Sequence, residues 1–500
     1  MGTLPHFLDM ARTHLKAALG LIFLSSSFLN GAAYQIYTQS ANSLGYAHAD
    51  MAALADDAST AWYNPAGMVN LCSPEVCIGG ASFWIKEEFN GKVGVSSLPD
   101  LLAYEDGIVT TIPGMALQQP FRVPRAVSNT YPLFPSFNAV WPVHYYNLHF
   151  ALGLAIDVPW GLETDYSYSS VRPYAAQTLI ESLQINPSVA FGIGDLSFAV
   201  GYGREMLETK ITSSVINTGA YLRLRGWENT YNLAVMYKFD RELTLGATFR
   251  PGLTHKISGN SSIFFSDGHA TCHFKTPAVL TAGFKCDMSK RLSILGTVGY
   301  NLWSRVKSIE VDTGIPQVVV TPLFSNILAE LIPSFLPIPP GADVSLQNIL
   351  TLNSGKASIP IHGKDTVFLA LGSKFIASDM WILKAGFGYD QSPIRPGTRE
   401  FRIPDNDHYL FSVGARCIFN ELAFADFGLE YIYTPKCGIK NNPILPVSIV
   451  PPELIITVGD VTEVIPLDSV VTVPPSQQGY TGSINSTALA FSLQIGIIFP

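Results

Sequence analysis

LGYAHADMAALADDASTAWYNPAG, residues 44–67, is the one long stretch of this sequence that is small, rich in alanine and helical in character, and it stands among segments that read as strand. Asn64-Pro65 stops it, because proline forces the residue before it out of the α region. A helix of this length with Asp56 and Asp57 in its middle cannot bury enough apolar surface to stand alone, so it is expected to pack inside something, as a plug. The alternative is the first helix of an ordinary soluble domain, and the rest of the chain has to decide between them.

Composition favours a container. Charged residues are only 14% of the 500 and apolar ones 47%, yet 41 Gly, 34 Pro and 21 Tyr break the apolar residues up. A helical membrane protein needs runs of about twenty apolar residues. The sequence instead combines membrane-like average polarity with local alternation, as expected where lipid-facing and lumen-facing side chains alternate along strands. A net charge of −8 without any Lys/Arg cluster excludes nucleic acid as a partner.

Arg12, His14 and Lys16, an apolar stretch from Ala17 to Leu29, and Gly31-Ala32-Ala33 match the zones of a secretory signal peptide, predicting removal of residues 1–33. An uncleaved anchor is the alternative. Of the six cysteines only Cys72 and Cys77 are close enough in sequence to form a possible disulfide; Cys272 and Cys286 lie at opposite ends of one predicted strand, and the same argument separates Cys417 from Cys437.

Beyond residue 75 the period-two signal of half-buried strands recurs. Leu489, Phe491, Leu493, Ile495, Ile497 and Phe499 share one face, and Ala488, Ala490, Ser492, Gln494 and Gly496 the other. Leu243 to Arg250, Trp381 to Asp390 and Tyr409 to Phe419 behave alike, with their charges on the second face. Short turns are predicted at Val143 to Asn147, Gly194-Asp195, around Asp240, Asp287 to Lys290, Ser378-Asp379 and Asn420-Glu421. Between them fall long connections at 91–133, 159–179, 212–221, 259–269, 311–364, 392–406 and 437–484. Such regular alternation predicts an all-β fold, a transmembrane antiparallel β-barrel of about fourteen strands over residues 75–500, with an N-terminal, partly helical hatch over 34–74 plugging the lumen. The 311–364 and 437–484 loops are apolar and Pro-rich, suited either to guiding an apolar substrate or to packing on each other over the barrel mouth.

The opening stretch resembles the hatch of the FadL-type long-chain fatty acid transporters, a group that includes aromatic-hydrocarbon transporters of the TodX kind. Leu44-Gly45, Ala47, Ala55-Asp56-Asp57-Ala58 and the signature Asn64-Pro65-Ala66 carry the likeness. Further matches are Pro159-Trp160-Gly161-Leu162 with Tyr166, Asn186-Pro187-Ser188-Val189-Ala190, Trp303-Ser304, Tyr389-Asp390-Gln391-Ser392-Pro393 and Ile403-Pro404-Asp405. The resemblance covers the mature chain, although the two apolar loops look longer than the family's and the chain ends in Phe499-Pro500. It implies an outer-membrane, porin-like channel of a Gram-negative bacterium for passive uptake of hydrophobic compounds, long-chain fatty acids foremost. Release would be sideways at a kinked third strand, and assembly by the barrel-assembly machinery as a monomer among outer-membrane lipid. An aromatic-hydrocarbon transporter of the same fold, and a surface receptor or adhesin using the apolar loops, are the alternatives.

Four basic residues fall on the lumen parity, Arg250, Lys374, Lys384 and Arg416. They could bind a carboxylate, or form a structural network with the hatch acids Asp56 and Asp57. In the third strand, Gly153 marks a bulge or a plain barrel-corner glycine, and Pro159 and Gly161 follow where the lateral opening is expected. His269, Cys272 and His273 are the one metal-like cluster, but Cys272 and His273 point to opposite faces, so no metal is expected, nor any other cofactor. With no Gly-x-Ser-x-Gly elbow and no phosphate-cradling glycine loop, no enzyme is expected; a barrel lipase stays a distant alternative.

Overall fold

The computed structural model describes residues 33–93, 104–105, 108–109, 121–145, 148–169, 171–172, 174–215, 218–240, 242–263, 266–315, 317–319, 343–347, 351–353, 356–441, 448–450, 453–458, 461–466 and 480–500. The predicted signal peptide lies outside the described residues except for Ala33.

Fourteen antiparallel walls close on themselves. They are β1 (Glu75–Val93), β2 (Phe121–Thr130 and Leu133–Tyr145), β3 (Leu148–Asp157 and Gly161–Asp165), β4 (Gln177–Ile193), β5 (Leu196–Val215), β6 (Thr218–Lys238), β7 (Leu243–Arg250 and Thr254–Ile263) and β8 (Ser266–Lys275 and Val279–Asp287). The circuit continues with β9 (Leu292–Asn301 and Ser308–Asp312), β10 (Lys356–Pro360 and Thr366–Ile376), β11 (Trp381–Asp390), β12 (His408–Asn420), β13 (Ala423–Asn441) and β14 (Tyr480–Ile498). β14 pairs back onto β1 from Glu75↔Ile498 to Val93↔Tyr480, which leaves no free edge.

Alternation sorts the faces as the sequence predicts. In β14, Phe491, Leu493 and Ile495 are 52%, 41% and 49% exposed, while Ala490, Ser492 and Gln494 are at most 1% exposed. Apolar side chains open to the outside and small or polar ones buried within describe a wall whose solvent is lipid.

All six short turns fall where the sequence places them. Two of the long connections do not. Residues 212–221 and 259–269 belong to continuous hairpins, paired up to Val215↔Thr218 and Ile263↔Ser266. Their alternation had been masked by Ser, Thr and Gly, which suit a two-sided polar ribbon as well as a loop. In the 311–364 and 437–484 connections, the described backbone of one pairs with that of the other, Asp343–Gln347 with Glu453–Val458 and Thr351–Asn353 with Ser448–Val450.

The hatch is not one helix. It holds two single turns, α1 (Ala41–Leu44) and α2 (Thr60–Tyr63), and a 3-10 turn over Pro65–Asn70, separated by backbone that takes positive φ at Ala47, His48 and Ala55. The alanines serve a different purpose from helix propensity. They let hatch backbone lie directly on glycines of the wall. A methyl group on Gly386 would run into the Tyr46 carbonyl, and one on Gly246 into the Ala52 carbonyl. Gly386→Val should therefore lift the hatch, costing about 1–3 kcal/mol by overpacking. The expected outcome is protease cleavage within residues 41–70 while heat-modifiable electrophoretic mobility still reports a closed barrel.

Candidate functional site

Two anchor points hold the hatch in the lumen. The first lies at the short-turn end, where a chain of ions joins hatch to wall. Lys374 Nζ pairs with Asp56 Oδ2 at 2.5 Å, and Arg416 reaches Asp57 Oδ2 at 2.5 Å and both oxygens of Asp426 at 2.9 Å. Lys384 Nζ bridges Asp426 Oδ1 and the Asn42 side chain, each at 2.5 Å, and Gly45 packs against its aliphatic stem. Asn42 completes the circuit by donating to Asp56 Oδ1 at 2.8 Å. Burial pulls the Asp56 carboxyl upward, but Lys374 and Arg416 outweigh it and hold the group well below the usual carboxylate range.

Asn64, Pro65 and Ala66 tie the hatch to itself and to the wall. Asn64 Nδ2 donates to the Ala52 carbonyl at 2.6 Å and to the Val235 carbonyl of β6 at 3.2 Å, while its Oδ1 accepts from Ala66 N at 3.1 Å. Pro65 then opens the 3-10 turn, where its missing N–H costs nothing. Arg250 donates to the Trp62 carbonyl and stacks 3.9 Å from the centroid of that ring. All four lumen cations singled out from the sequence are thus engaged with the hatch or with Asp426.

The second anchor is at the third strand. The β2–β3 ladder runs from Tyr145↔Leu148 to Phe137↔Ile156 and stops, and the β3–β4 ladder jumps from Asp157↔Gln184 to Gly161↔Glu181. The interruption is therefore at Val158–Trp160, with Pro159 in its middle and Gly161 where pairing resumes. At Gly153 both ladders pass without a shift in register, and a methyl there would strike Met68 of the hatch, so this glycine is a contact point instead of a bulge. The start of the hatch covers the break from inside. Ile36 N donates to the Pro159 carbonyl and Gly161 N to the Tyr34 carbonyl, both at 2.9 Å, with Gln35 opposite Trp160. Tyr34 is fully buried among Trp303, Phe274 and Trp160, at ring centroid distances of 4.7, 5.2 and 6.1 Å. Its hydroxyl donates to the Lys275 carbonyl at 2.7 Å. Trp160 Nε1 donates to Glu205 Oε1 at 2.8 Å, which also meets His255 Nε2 at 2.9 Å. Sequence reasoning missed Tyr34 and Glu205; a buried acid on lumen parity facing Trp160 was readable only once the register was known.

From the long-loop end, residues 391–407 fold down onto the lumen. Ser392 Oγ donates to Asp405 Oδ2, Arg399 Nε donates to the Asp405 carbonyl at 2.7 Å, and Phe401 packs against Tyr480 and Phe89. The Tyr-Asp-x-Ser-Pro and Pro-Asp pair are the two ends of this fold.

The cysteines correct one expectation. Cys72 and Cys77 are both free, because Cys72 is exposed in the turn before β1 whereas Cys77 has lumen parity and donates to Glu75 Oε1 at 3.4 Å. Asp57, Glu75 and Cys77 bring ligand atoms within 4.8 Å of one another, but Arg416 already takes Asp57 and the Ala58 amide takes Glu75 at 2.8 Å. His269 and His273 are exposed on the outer face and Cys272 is buried on the inner one.

The sequence pattern of the family described as "Outer membrane protein transport protein (OMPP1/FadL/TodX)" matches residues 22–499. The chain belongs to this family. It is an outer-membrane β-barrel of the OMPP1/FadL/TodX type, from a group of transporters of hydrophobic compounds in Gram-negative bacteria. It is 23% identical over 462 residues to outer membrane protein P1 of Haemophilus influenzae, covering 84% of this chain and 90% of that one. With the long-chain fatty acid transport protein of Escherichia coli K12 it shares 22% identity over 452 residues, 86% of this chain and 94% of that one. Among solved structures it superposes on a Pseudomonas aeruginosa FadL homologue with a TM-score of 0.70 at 17% identity, covering 94% of this chain and all of that one. The toluene transporter TbuX of Ralstonia pickettii gives 0.56 at 12% identity, with coverage of 93% and 100%. These likenesses are of fold.

Two outcomes follow from the anchors of this OMPP1/FadL/TodX-type chain. Arg416→Ala leaves Asp57 and Asp426 buried with one fewer counter-ion and should destabilise hatch docking by about 3–5 kcal/mol, read as a gain in single-channel conductance and a lower thermal midpoint. Glu400, in the 391–407 loop, is pushed up to about 7 by burial despite Arg402 nearby. Its folded pKa is above the unfolded value, so loop closure is fully favoured below about pH 4.5 and weakens as pH rises through 7. Glu400→Gln should then protect the loop amides from hydrogen exchange better than the native chain at pH 8 and equally at pH 4.

Proposed function

We propose that this chain is a passive channel that takes up hydrophobic compounds, long-chain fatty acids foremost, and releases them sideways into the membrane between β2 and β3. One observation carries the reading. The wall ladder ends at Phe137↔Ile156, and what closes the break at Val158–Trp160 from inside is the hatch start, residues 34–36, a strap of two backbone hydrogen bonds. A strap of that size can be exchanged for a ligand, whereas a continuous ladder cannot.

The names of relatives support fatty acids, since they include long-chain fatty acid transport proteins. The ring cluster of Tyr34, Trp160, Phe274 and Trp303 favours a second reading, an aromatic hydrocarbon stacked in place of Tyr34. A hatch whose start is an exchangeable strap argues against a surface receptor or adhesin, which has no pore to regulate. The chemistry is passage, with no enzymatic step, and assembly as a monomer by the barrel-assembly machinery belongs to the same proposal.

Gln35 and Trp160 are opposite residues of an antiparallel bridge, so cysteines placed there are within disulfide reach. With the native cysteines replaced by serine, Gln35→Cys/Trp160→Cys should lose uptake of labelled oleate when oxidised and regain it on reduction. Uptake that ignores the cross-link would mean that the route lies elsewhere.

A further inference from the structure

On the short-turn side of the strand-3 break the lumen wall carries polar groups with no hydrogen-bond partner among the described residues. Asn138 of β2 and Asn186 of β4 flank Ala155 of β3 in register, and Asn232 of β6 lies opposite Gly201 of β5. Each asparagine is at most 2% exposed. Gly201 lets the last two come together, because a methyl built on it would run into the side-chain ends of both Asn186 and Asn232. Neither the amide nitrogen nor the oxygen of either residue has a hydrogen-bond partner among the described residues, and the same holds for both carboxylate oxygens of Asp157, two residues beyond Ala155. Folded proteins satisfy about nine in ten such buried groups, and leaving one unmet costs about 1–3 kcal/mol. Six unmet side-chain oxygens and nitrogens within one patch of wall are therefore a site built to hydrogen-bond something that comes and goes.

The donor and acceptor pattern limits what that is. Two carboxamides offer NH2 donors and carbonyl acceptors together. A carboxylate, an acceptor only, could use the NH2 donors and would leave both carbonyl oxygens unmet. An alkane could use neither. A hydroxyl or an un-ionised carboxyl uses both.

We infer that Asn186 and Asn232 form a subsite for the neutral, hydrogen-bonding head group of a long-chain amphiphile, holding it at the strand-3 break while the chain enters the membrane. This rests on the uptake reading above and specifies the form of the ligand. The head group crosses as an alcohol or a protonated acid, and the pair of amides selects it over a plain hydrocarbon.

The test is displacement of a fluorescent long-chain fatty acid from the purified full chain in detergent by 1-dodecanol and by dodecane. The native protein should favour dodecanol on the order of tenfold relative to Asn186→Ala/Asn232→Ala, the worth of about one hydrogen bond to each amide, with dodecane unchanged. Asn232→Ser, which keeps a donor and an acceptor, should retain most of the preference, and heat-modifiable mobility checks that each variant is folded. An alcohol-to-alkane ratio that is the same in the native protein and both variants overturns the subsite and leaves the uptake reading standing. Failure of the native protein to bind the fluorescent fatty acid overturns both.

Discussion

The ion chain that runs from Lys374 through Asp56, Arg416 and Asp57 to Asp426 and Lys384 is the constraint on which the rest depends. A barrel of fourteen strands encloses more space than its inward side chains fill. What fills it must be held without a hydrophobic core of its own. Charge supplies that hold here because each partner is desolvated by the other, so the pair is strong only while the hatch is seated. The wall contributes three cations and one acid, the hatch two acids, and Asn42 and Gln494 share the remaining lone pairs.

Seated on that anchor, the hatch gains the remainder of its fit from close backbone approach. Alanine in the hatch and glycine in the wall are the same solution seen from two sides. Neither residue buries much apolar area, so the fit is specific without being deep. The opposite end of the hatch is held differently, by one buried tyrosine among aromatic rings and by two backbone bonds to the interrupted strand. An ionic hold at one end and a backbone strap with a buried tyrosine at the other give the hatch unlike ends, and the strap is the one at the break in the wall.

Much of this was legible in the residues. Period-two alternation gave the faces of β14, β11 and β7, and turn chemistry gave all six short turns, because both are local. Parity placed the lumen cations within reach of Asp56 and Asp57 and left their pairing as one of two readings. Other features were hidden for physical reasons. The hatch read as one helix because alanine is the best helix former, and nothing local reveals that its backbone must instead follow a row of glycines hundreds of residues away. Cys72 and Cys77 looked pairable by spacing, but strand parity sends one inward. Gly153 looked like the bend, whereas the break comes five to seven residues later, where proline removes a ladder donor. Asn138, Asn186 and Asn232 carry no signal until the register brings the last two together over Gly201.

The hairpin of β5 and β6 has a consequence for where a ligand is first met. Its strands are 20 and 21 residues long. At about 3.3 Å per residue they extend roughly 65 Å, and a tilt of about 45° leaves a height of some 45 Å. The apolar band of such a barrel is only about 25 Å tall. The hairpin therefore stands well clear of the bilayer, with Leu207 and Leu224 buried on its inner face and Tyr221 and Trp227 exposed on its outer one. A water-insoluble molecule arriving from outside meets protein before it meets lipid, and it gives up its contact with water in stages along a wall.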